Sequence, residues 1–546
     1  MKKTIQLLFL LILIALSSRA QKADYHVIPR PLNVDVDTSE VFIIKDGMNI
    51  CITNGNAQTK RIAQFLHQYT EELTGIHLTI DENEHEGGIY LMKTLAHDVL
   101  DHSNEIKNAS YEITVDQGGI RLKAPTDEGL FRAVQTLRKS MPIAKGKFNS
   151  VEFPFVVIKD KPRFAYRGVH LDSSRHFWSV NTIKRYIDLM ALHGCNQFHW
   201  HITDDQGWRF EVKALPELAE KGSVREQTVL GRNSGVYDGQ PYGGYYTQDE
   251  CREIVRYAAE RHINVIPEID LPGHMQAALH VYPNLGCTGG PYPVWQMWGV
   301  SDDVLCVGNP ETMMFLKTVL GEICDVFPSK FIHIGGDECP KGRWKECGKC
   351  KAKAQELALV DNGIHSVENQ LQSWINREME QFLDERGRSI IGWDETLEGG
   401  LAENATVMSW RGTQGGIDAA RQHHNVIMAP VDYCYIDYYQ VKNNWNEPIA
   451  IGGYVPTSKT YSFEPVPQQL SEEEEKYILG PQVNLWCEYI ACEPHLFYML
   501  LPRLDAISEV QWTQPDKKNF DDFKQRLGHM FSLYDKLSIN YCHTVE

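Results

Sequence analysis

The pattern of apolar and polar positions changes once along the chain. Over residues 21–158 it is dominated by short alternation. VFIIKDGMNICI (41–52), GGIYLM (87–92) and SYEITVDQGGIRLKAPT (110–126) alternate as half-buried strands and hairpins do. Two stretches carry the helical period instead: AQTKRIAQFLHQYTEELTG (57–75), stopped by Gly75, and GLFRAVQTLRKSM (129–141). Strands interspersed with helices in this way predict a small α+β domain over 21–158, and VVIKDKPRFAYRG (156–168) is the join.

From residue 159 to 515 the rhythm becomes strand, then helix, repeatedly. Strands are expected in 165–172, 196–203, 264–270, 331–336, 389–395, 406–412, 425–431 and 483–489. Helices with an apolar face lie between several of them, at 182–194, 248–262, 311–327 and 367–387. The short spacing between the sixth and seventh strands leaves room for a weak helix or none. Eight such units predict an α/β fold, a (β/α)8 TIM barrel. A doubly wound open sheet is the alternative, and the lack of a G-x-G-x-x-G after any strand counts against it. Residues 516–546 hold one more helix, 520–537, expected to pack on the barrel.

Composition narrows the function. The 546 residues are 42% hydrophobic and 10% aromatic, enough for a large core, and the net charge is −18. So acidic a chain argues against nucleic acid, whose phosphates are bound by Lys and Arg. Residues 1–20 resemble a signal peptide. Lys2 and Lys3 precede the apolar Leu8–Leu16, and Ala20 precedes the expected cleavage point. No Cys follows closely, so no lipobox is present, and no later stretch approaches a membrane span. An exported protein, periplasmic or secreted and without a membrane anchor, is expected. The thirteen Cys are an odd number. A Cys287–Cys306 disulfide clamping the aromatic loop between them is the preferred pairing. For Cys347-Gly-Lys-Cys350 a local disulfide or free thiols stand beside structural zinc, with Cys339 the nearest extra thiol.

In a barrel the residues just after each strand converge on one pocket. Here they are rich in carboxylates and Trp: Asp172 and Arg175, Asp204 and Asp205, Glu268, Asp270 and His274, Asp337 and Glu338, Trp393 to Glu395, Trp410 and Arg411, Tyr435 and Asp437, Trp486 and Glu488. Trp faces suit sugar C–H groups, carboxylates and Arg suit hydroxyls, and glycoside cleavage needs a proton donor and a negative charge. Each residue also has an ordinary role available: Asp337 as a helix cap, the Trp rings as core, Arg175 as a surface ion pair. His199-Trp200-His201 permits core packing or, with His333 and His274, a metal site.

The motifs HIGGDE (333–338), LDSSRHFW (171–178), HWHITDDQGWR (199–209), PEIDLPGH (267–274), IIGWDE (390–395), VMSWRG (407–412) and NLWCEYI (484–490) resemble glycoside hydrolase family 20, the β-N-acetylhexosaminidases. Residues 25–155 are similar to the α+β domain that precedes its barrel. The resemblance implies retaining, substrate-assisted hydrolysis of a terminal β-GlcNAc or β-GalNAc on a glycan, with no cofactor and no metal. It assigns Glu338 as general acid/base and Asp337 to the acetamido N–H, with Tyr435 on the acetamido oxygen. It sets Trp393, Trp410 and Trp486 around the sugar and Arg175, Asp437 and Glu488 on its hydroxyls. His274 with Asp204, or Asp205 in its place, supports the acid. A non-catalytic glycan-binding barrel and a metal-dependent barrel hydrolase are the alternatives. The long loops 223–247 and 284–305 are expected to line the mouth.

Overall fold

The computed structural model describes residues 21–53, 55–83, 85–94 and 109–546; the proposed signal peptide lies outside them. The chain forms two compact units. One takes residues up to Arg163 together with Trp512–Ser538, the other Phe164–Gln511 together with Ile539–Glu546.

The first unit contains a seven-stranded mixed sheet, in the order 33–45, 150–160, 111–116, 119–124, 88–93, 49–53, 79–81. The helix Ala57–Thr74 begins at a reciprocal Asn56–Thr59 cap and ends at Gly75, in the left-handed region at φ 74°. It buries Ile62, Phe65, Leu66 and Leu73, the apolar face legible in its sequence. The final helix, Phe520–Lys536, corrects an expectation. It belongs to this unit and not to the barrel. Arg526 Nη1 donates to the Val27 carbonyl at 3.0 Å and Lys536 Nζ to that of Ala144 at 3.1 Å. Its amphipathic face specified burial and left the partner unspecified.

The second unit is a closed barrel of eight parallel strands paired in chain order: Gly168–Asp172, Gln197–His201, Asn264–Glu268, Phe331–His333, Ser389–Trp393, Thr406–Ser409, Val426–Met428 and Ile478–Val483. It closes where Gln482 and Val483 pair with Gly168 and Val169. The expected helices appear as Val180–Leu192, Gln248–Ala259, Pro310–Val326 and Val367–Asp384. Only the short helix Gln414–Arg421 separates strands six and seven. Ile266, Ile391, Met408 and Ile427 fill the barrel interior with Tyr166, Trp393 and Trp486.

The eighth strand, Ile478–Val483, lies earlier than the 483–489 that the sequence pattern predicts. Gly480-Pro481 reads as a turn by composition. In the barrel it is strand, because Gly480 at φ 147° lets the backbone approach Tyr166, whose carbonyl oxygen would be 2.0 Å from an added Cβ. Residues 484–489 therefore leave the barrel at its C-terminal end. Gly480→Ala is expected to destabilise the barrel by ~2–3 kcal/mol, read as a lower denaturation midpoint in urea, whereas a surface Gly146→Ala should move it little.

Candidate active site

The acid pair sits where the fourth strand ends. After His333 the chain turns through Gly335 and Gly336, at φ 62° and 98°. A Cβ at Gly335 would lie 1.8 Å from Asp270 Oδ1, so only glycine admits the carboxylate, which also accepts the Gly336 N–H at 3.0 Å. Gln372 Nε2 holds the Gly336 carbonyl at 2.7 Å from the other side. The turn delivers Asp337 buried and Glu338 with 46% of its side chain exposed, at a left-handed φ of 44°. Such a backbone costs a non-glycine residue about 1–3 kcal/mol and is retained where the surroundings impose it.

His274, from the loop after strand three and also left-handed at φ 50°, lies behind the pair. Its Nε2 is 3.7 Å from Asp337 Oδ2 and 3.8 Å from Glu338 Oε2. Its Nδ1 faces Asp204 Oδ1 at 3.0 Å, and Asp205 Oδ2 is farther, at 3.4 Å. Asp205 is occupied elsewhere, accepting the backbone N–H groups of Gln276 and Ser301. Geometry thus favours Asp204 as the partner of His274. Arg175 Nη2 meets Asp204 Oδ2 at 2.8 Å, and its guanidinium stands 5.0 Å over the Trp486 ring.

Burial opposes charge throughout this group, and the neighbours decide the outcome. Burial would raise the Asp204 carboxyl, but Arg175, His274 and a hydrogen bond from His201 hold it well below the ordinary range. Burial would lower His274, but Asp204 outweighs it and the ring is held well above its usual value. Glu338 is raised by loss of solvation first and by the negative Asp337 second; Asp337 is raised by burial against the pull of His274.

The aromatic residues come together beside the acids. Trp393 and Trp486 have ring centroids 5.9 Å apart, Tyr435 and Trp486 6.4 Å, and Trp410 stacks on Tyr435 at 5.9 Å. Trp393 Nε1 donates to Glu268 at 2.9 Å and Trp410 Nε1 to Glu395 at 2.9 Å. Asp437 is buried, and among the described residues neither of its carboxylate oxygens meets a hydrogen-bond donor from another residue. Burial and the nearby Glu488 push it up, and Glu488 in turn faces Arg175. Asp337 Oδ1 is likewise buried without a donor. Buried acceptors left unmatched by protein are what a hydroxyl- or amide-bearing ligand can satisfy.

Nine of the eleven residues singled out for the site are linked to one another by these distances at the C-terminal end of the barrel, while Asp437 and Glu488 act on the group through their charge. Two further carboxylates belong to it. Glu395, next to Asp394 after strand five, is pushed up to about 8 by burial and by Asp337. Glu268 anchors the floor. Their position at strand ends was the available signal. The His199-Trp200-His201 rings alternate as a strand requires: Trp200 donates to Ser173 Oγ at 2.8 Å, while both histidines turn to Glu268. Burial would lower His201, but Glu268 against its Nδ1 and Asp204 Oδ2, 2.8 Å from its Nε2, push it up to about 10. The two long loops meet each other: Asn233 Nδ2 donates to the Trp298 carbonyl at 2.8 Å and Val229 N–H to Gln296 O at 2.8 Å.

Comparison with known proteins gives this arrangement its family. The model for the glycosyl hydrolase family 20 catalytic domain matches residues 164–515, and that for domain 2 of the family matches 24–161. The chain belongs to glycosyl hydrolase family 20. It is a glycoside hydrolase. It is 39% identical to a beta-hexosaminidase of Porphyromonas gingivalis over 97% of this chain and 67% of that protein. It is 36% identical to one of Vibrio furnissii over 75% of this chain and 66% of that protein. It spans, therefore, about two thirds of the length of either. Among solved structures, the family 20 exo beta-N-acetylglucosaminidase of Vibrio harveyi, in complex with N-acetylglucosamine, superimposes with a TM-score of 0.81 at 29% identity, covering 96% of this chain and 79% of that one.

The pH dependence of stability follows from the ion network. The stabilisation from the depressed Asp204 is full above the ordinary aspartate value of 3.8 and is lost as pH falls below it. That from the raised His274 is full below the ordinary histidine value of 6.5 and is lost as pH climbs through the raised one. Asp204→Asn is therefore expected to lower the thermal midpoint most between those two values, with the gap to wild type narrowing in stronger acid. A gap that stays constant through the acid range would mean that Asp204 is not charged in the folded protein.

Proposed function

We propose that this family 20 enzyme is an exported, exo-acting β-N-acetylhexosaminidase that removes terminal β-GlcNAc or β-GalNAc from glycans with retention. The observation that carries the reading is the pairing of a solvent-facing raised acid, Glu338, with a buried neighbour, Asp337, beside one aromatic enclosure. The relatives are described as beta-hexosaminidases, and the Vibrio harveyi enzyme as exo-acting, which supports it. Export rests on residues 1–20; among the described residues no helix is long and apolar enough to cross a membrane.

In this reading Glu338 starts protonated and gives its proton to the glycosidic oxygen as the bond breaks. The general two-carboxylate scheme would then use a protein nucleophile; family 20 departs from it, and this step comes from the family resemblance, not from the geometry. The substrate's acetamido oxygen attacks the anomeric carbon to give an oxazolinium ion. Asp337 accepts the acetamido N–H and faces the positive charge that develops. Tyr435 donates to the acetamido oxygen, and Trp393, Trp410 and Trp486 enclose the acetyl group and ring. Arg175, Asp437 and Glu488 bind the ring hydroxyls. Water opens the intermediate as Glu338 takes its proton back, and His274 with Asp204 sets the charge felt by both acids.

The deciding assay compares aryl β-GlcNAc with aryl β-glucoside. Cleavage of the GlcNAc substrate alone is expected, because only it carries the internal nucleophile. Hydrolysis of both would require two protein carboxylates and would end the substrate-assisted reading. Sugar binding with no hydrolysis of either would favour a glycan-binding barrel, and loss of turnover on brief chelation a metal-dependent one.

Two substitutions separate the acids. Glu338→Gln is expected to cut kcat/KM on oligosaccharides by ~10²–10⁴-fold while sparing much of the activity on aryl substrates with good leaving groups. Asp337→Asn is expected to lower both classes by about 10²-fold or more, since it weakens the internal attack. Near-normal turnover of activated aryl substrates by Asp337→Asn would remove the role given to Asp337.

A further inference from the structure

Four cysteines that are far apart in sequence meet at one point. Cys287 and Cys306 come from the loop after strand three, Cys347 and Cys350 from the loop after strand four. Their sulfurs all lie within 4.8 Å of one another. The closest separations are 3.6 Å for Cys306–Cys350, 3.7 Å for Cys306–Cys347 and 3.9 Å for Cys287–Cys350. No disulfide joins any of the thirteen cysteines, so the preferred Cys287–Cys306 pair is not bonded and neither is the local disulfide that was one reading of Cys347–Cys350; Cys306 and Cys350 each lie beside two other sulfurs of the group.

These distances suit a metal. Two bonded sulfurs stand about 2.05 Å apart. Four thiolates around tetrahedral zinc at about 2.3 Å have S···S edges of about 3.8 Å. The three closest separations, 3.6–3.9 Å, bracket that edge, and all six lie within 4.8 Å. Cys347-Gly-Lys-Cys350 supplies the two ligands of a C-x-x-C turn at the start of the helix Gly348–Glu356. Cys306 faces it on a turn pressed against that helix. A Cβ on Gly308 would lie 2.2 Å from the Lys349 carbonyl, so glycine is needed for the approach, and the Gly308 amide is hydrogen-bonded toward Cys306 and Cys350.

We propose that Cys287, Cys306, Cys347 and Cys350 form a structural zinc site that fastens the loop carrying His274 to the loop carrying Asp337 and Glu338. All four positions of a tetrahedral ion would be filled by protein, so the site is closed and holds no water to activate. The same two loops are joined nearby by the Trp344 Nε1 bond to the Leu305 carbonyl at 2.9 Å and by the Arg343–Asp303 pair at 2.8 Å. Zinc there secures the contact between His274 and the acid pair from a distance.

The test uses wild-type protein secreted from zinc-replete cells and purified without metal-affinity resin. Elemental analysis is expected to find about one zinc per chain. A mercurial thiol reagent should release it in step with modification of the cluster, and cobalt exchanged into the site should show the visible bands of a tetrahedral tetrathiolate. Cys347→Ser should lose most of the zinc and lower the thermal midpoint, while Cys492→Ser, an exposed thiol elsewhere, should keep both. Should Cys347→Ser fail to fold, the wild-type metal content and cobalt spectrum decide. Zinc-free protein whose intact mass and peptide map reveal two disulfides among these four cysteines would overturn the proposal. So would four free thiols that bind neither zinc nor cobalt.

Discussion

Buried negative charge is the constraint on which the open end of this barrel depends. Asp172, Asp204, Glu268, Asp270 and Asp337 are all buried there. A carboxylate removed from water without a partner costs several kcal/mol. The deeper acids are answered. Glu268 receives the Trp393 N–H and is ringed by His199, His201 and His333, which hold its carboxyl well below the usual range against its burial. Asp204 is answered by Arg175, His201 and His274. The acids nearer the mouth are not. Asp270, Asp337 and Asp437 are raised by burial, and each has an oxygen without a donor. Charge compensation thus thins from floor to mouth. The floor is held by its own partners, and of the uncompensated acids Asp337 is the one that adjoins the exposed Glu338.

What was legible in the sequence follows from the same physics. A strand covered on both faces reads as an apolar run followed by turn residues, and seven of the eight barrel strands were placed on that signal. The eighth was obscured because Gly480-Pro481 mimics a turn; only the neighbouring Tyr166 backbone explains a glycine in that strand. The acid and aromatic residues were findable because strand ends converge in a barrel. Choosing Asp204 over Asp205 was not possible from adjacent identical residues, since it depends on where the Gln276 and Ser301 amides point. The final helix announced its apolar face and not the unit that receives it. The cysteine cluster was least legible of all. Its two halves lie in different loops, and local spacing suggested pairing within each half.

Two backbone conformations connect these observations. Glu338 and His274 are both left-handed, at φ 44° and 50°. Neither is glycine, so each holds about 1–3 kcal/mol of strain that the neighbourhood must offset. A short, free loop would relax to ordinary angles and carry both side chains away from each other. These loops cannot relax easily. Leu305 N–H binds the Pro272 carbonyl at 3.0 Å, one residue from the Gly273-His274 turn, and Trp344 binds Leu305 in turn. From the other side, Gln372 and Asp270 grip Gly336. The strands bring the acids to the right end of the barrel, but the separation of 3.7–3.8 Å between His274 and the acid pair is set by cross-links between loops. Long, mutually braced loops after strands three and four are therefore part of the chemistry of this site, and shortening either one would release the strain that keeps Glu338 turned toward the mouth.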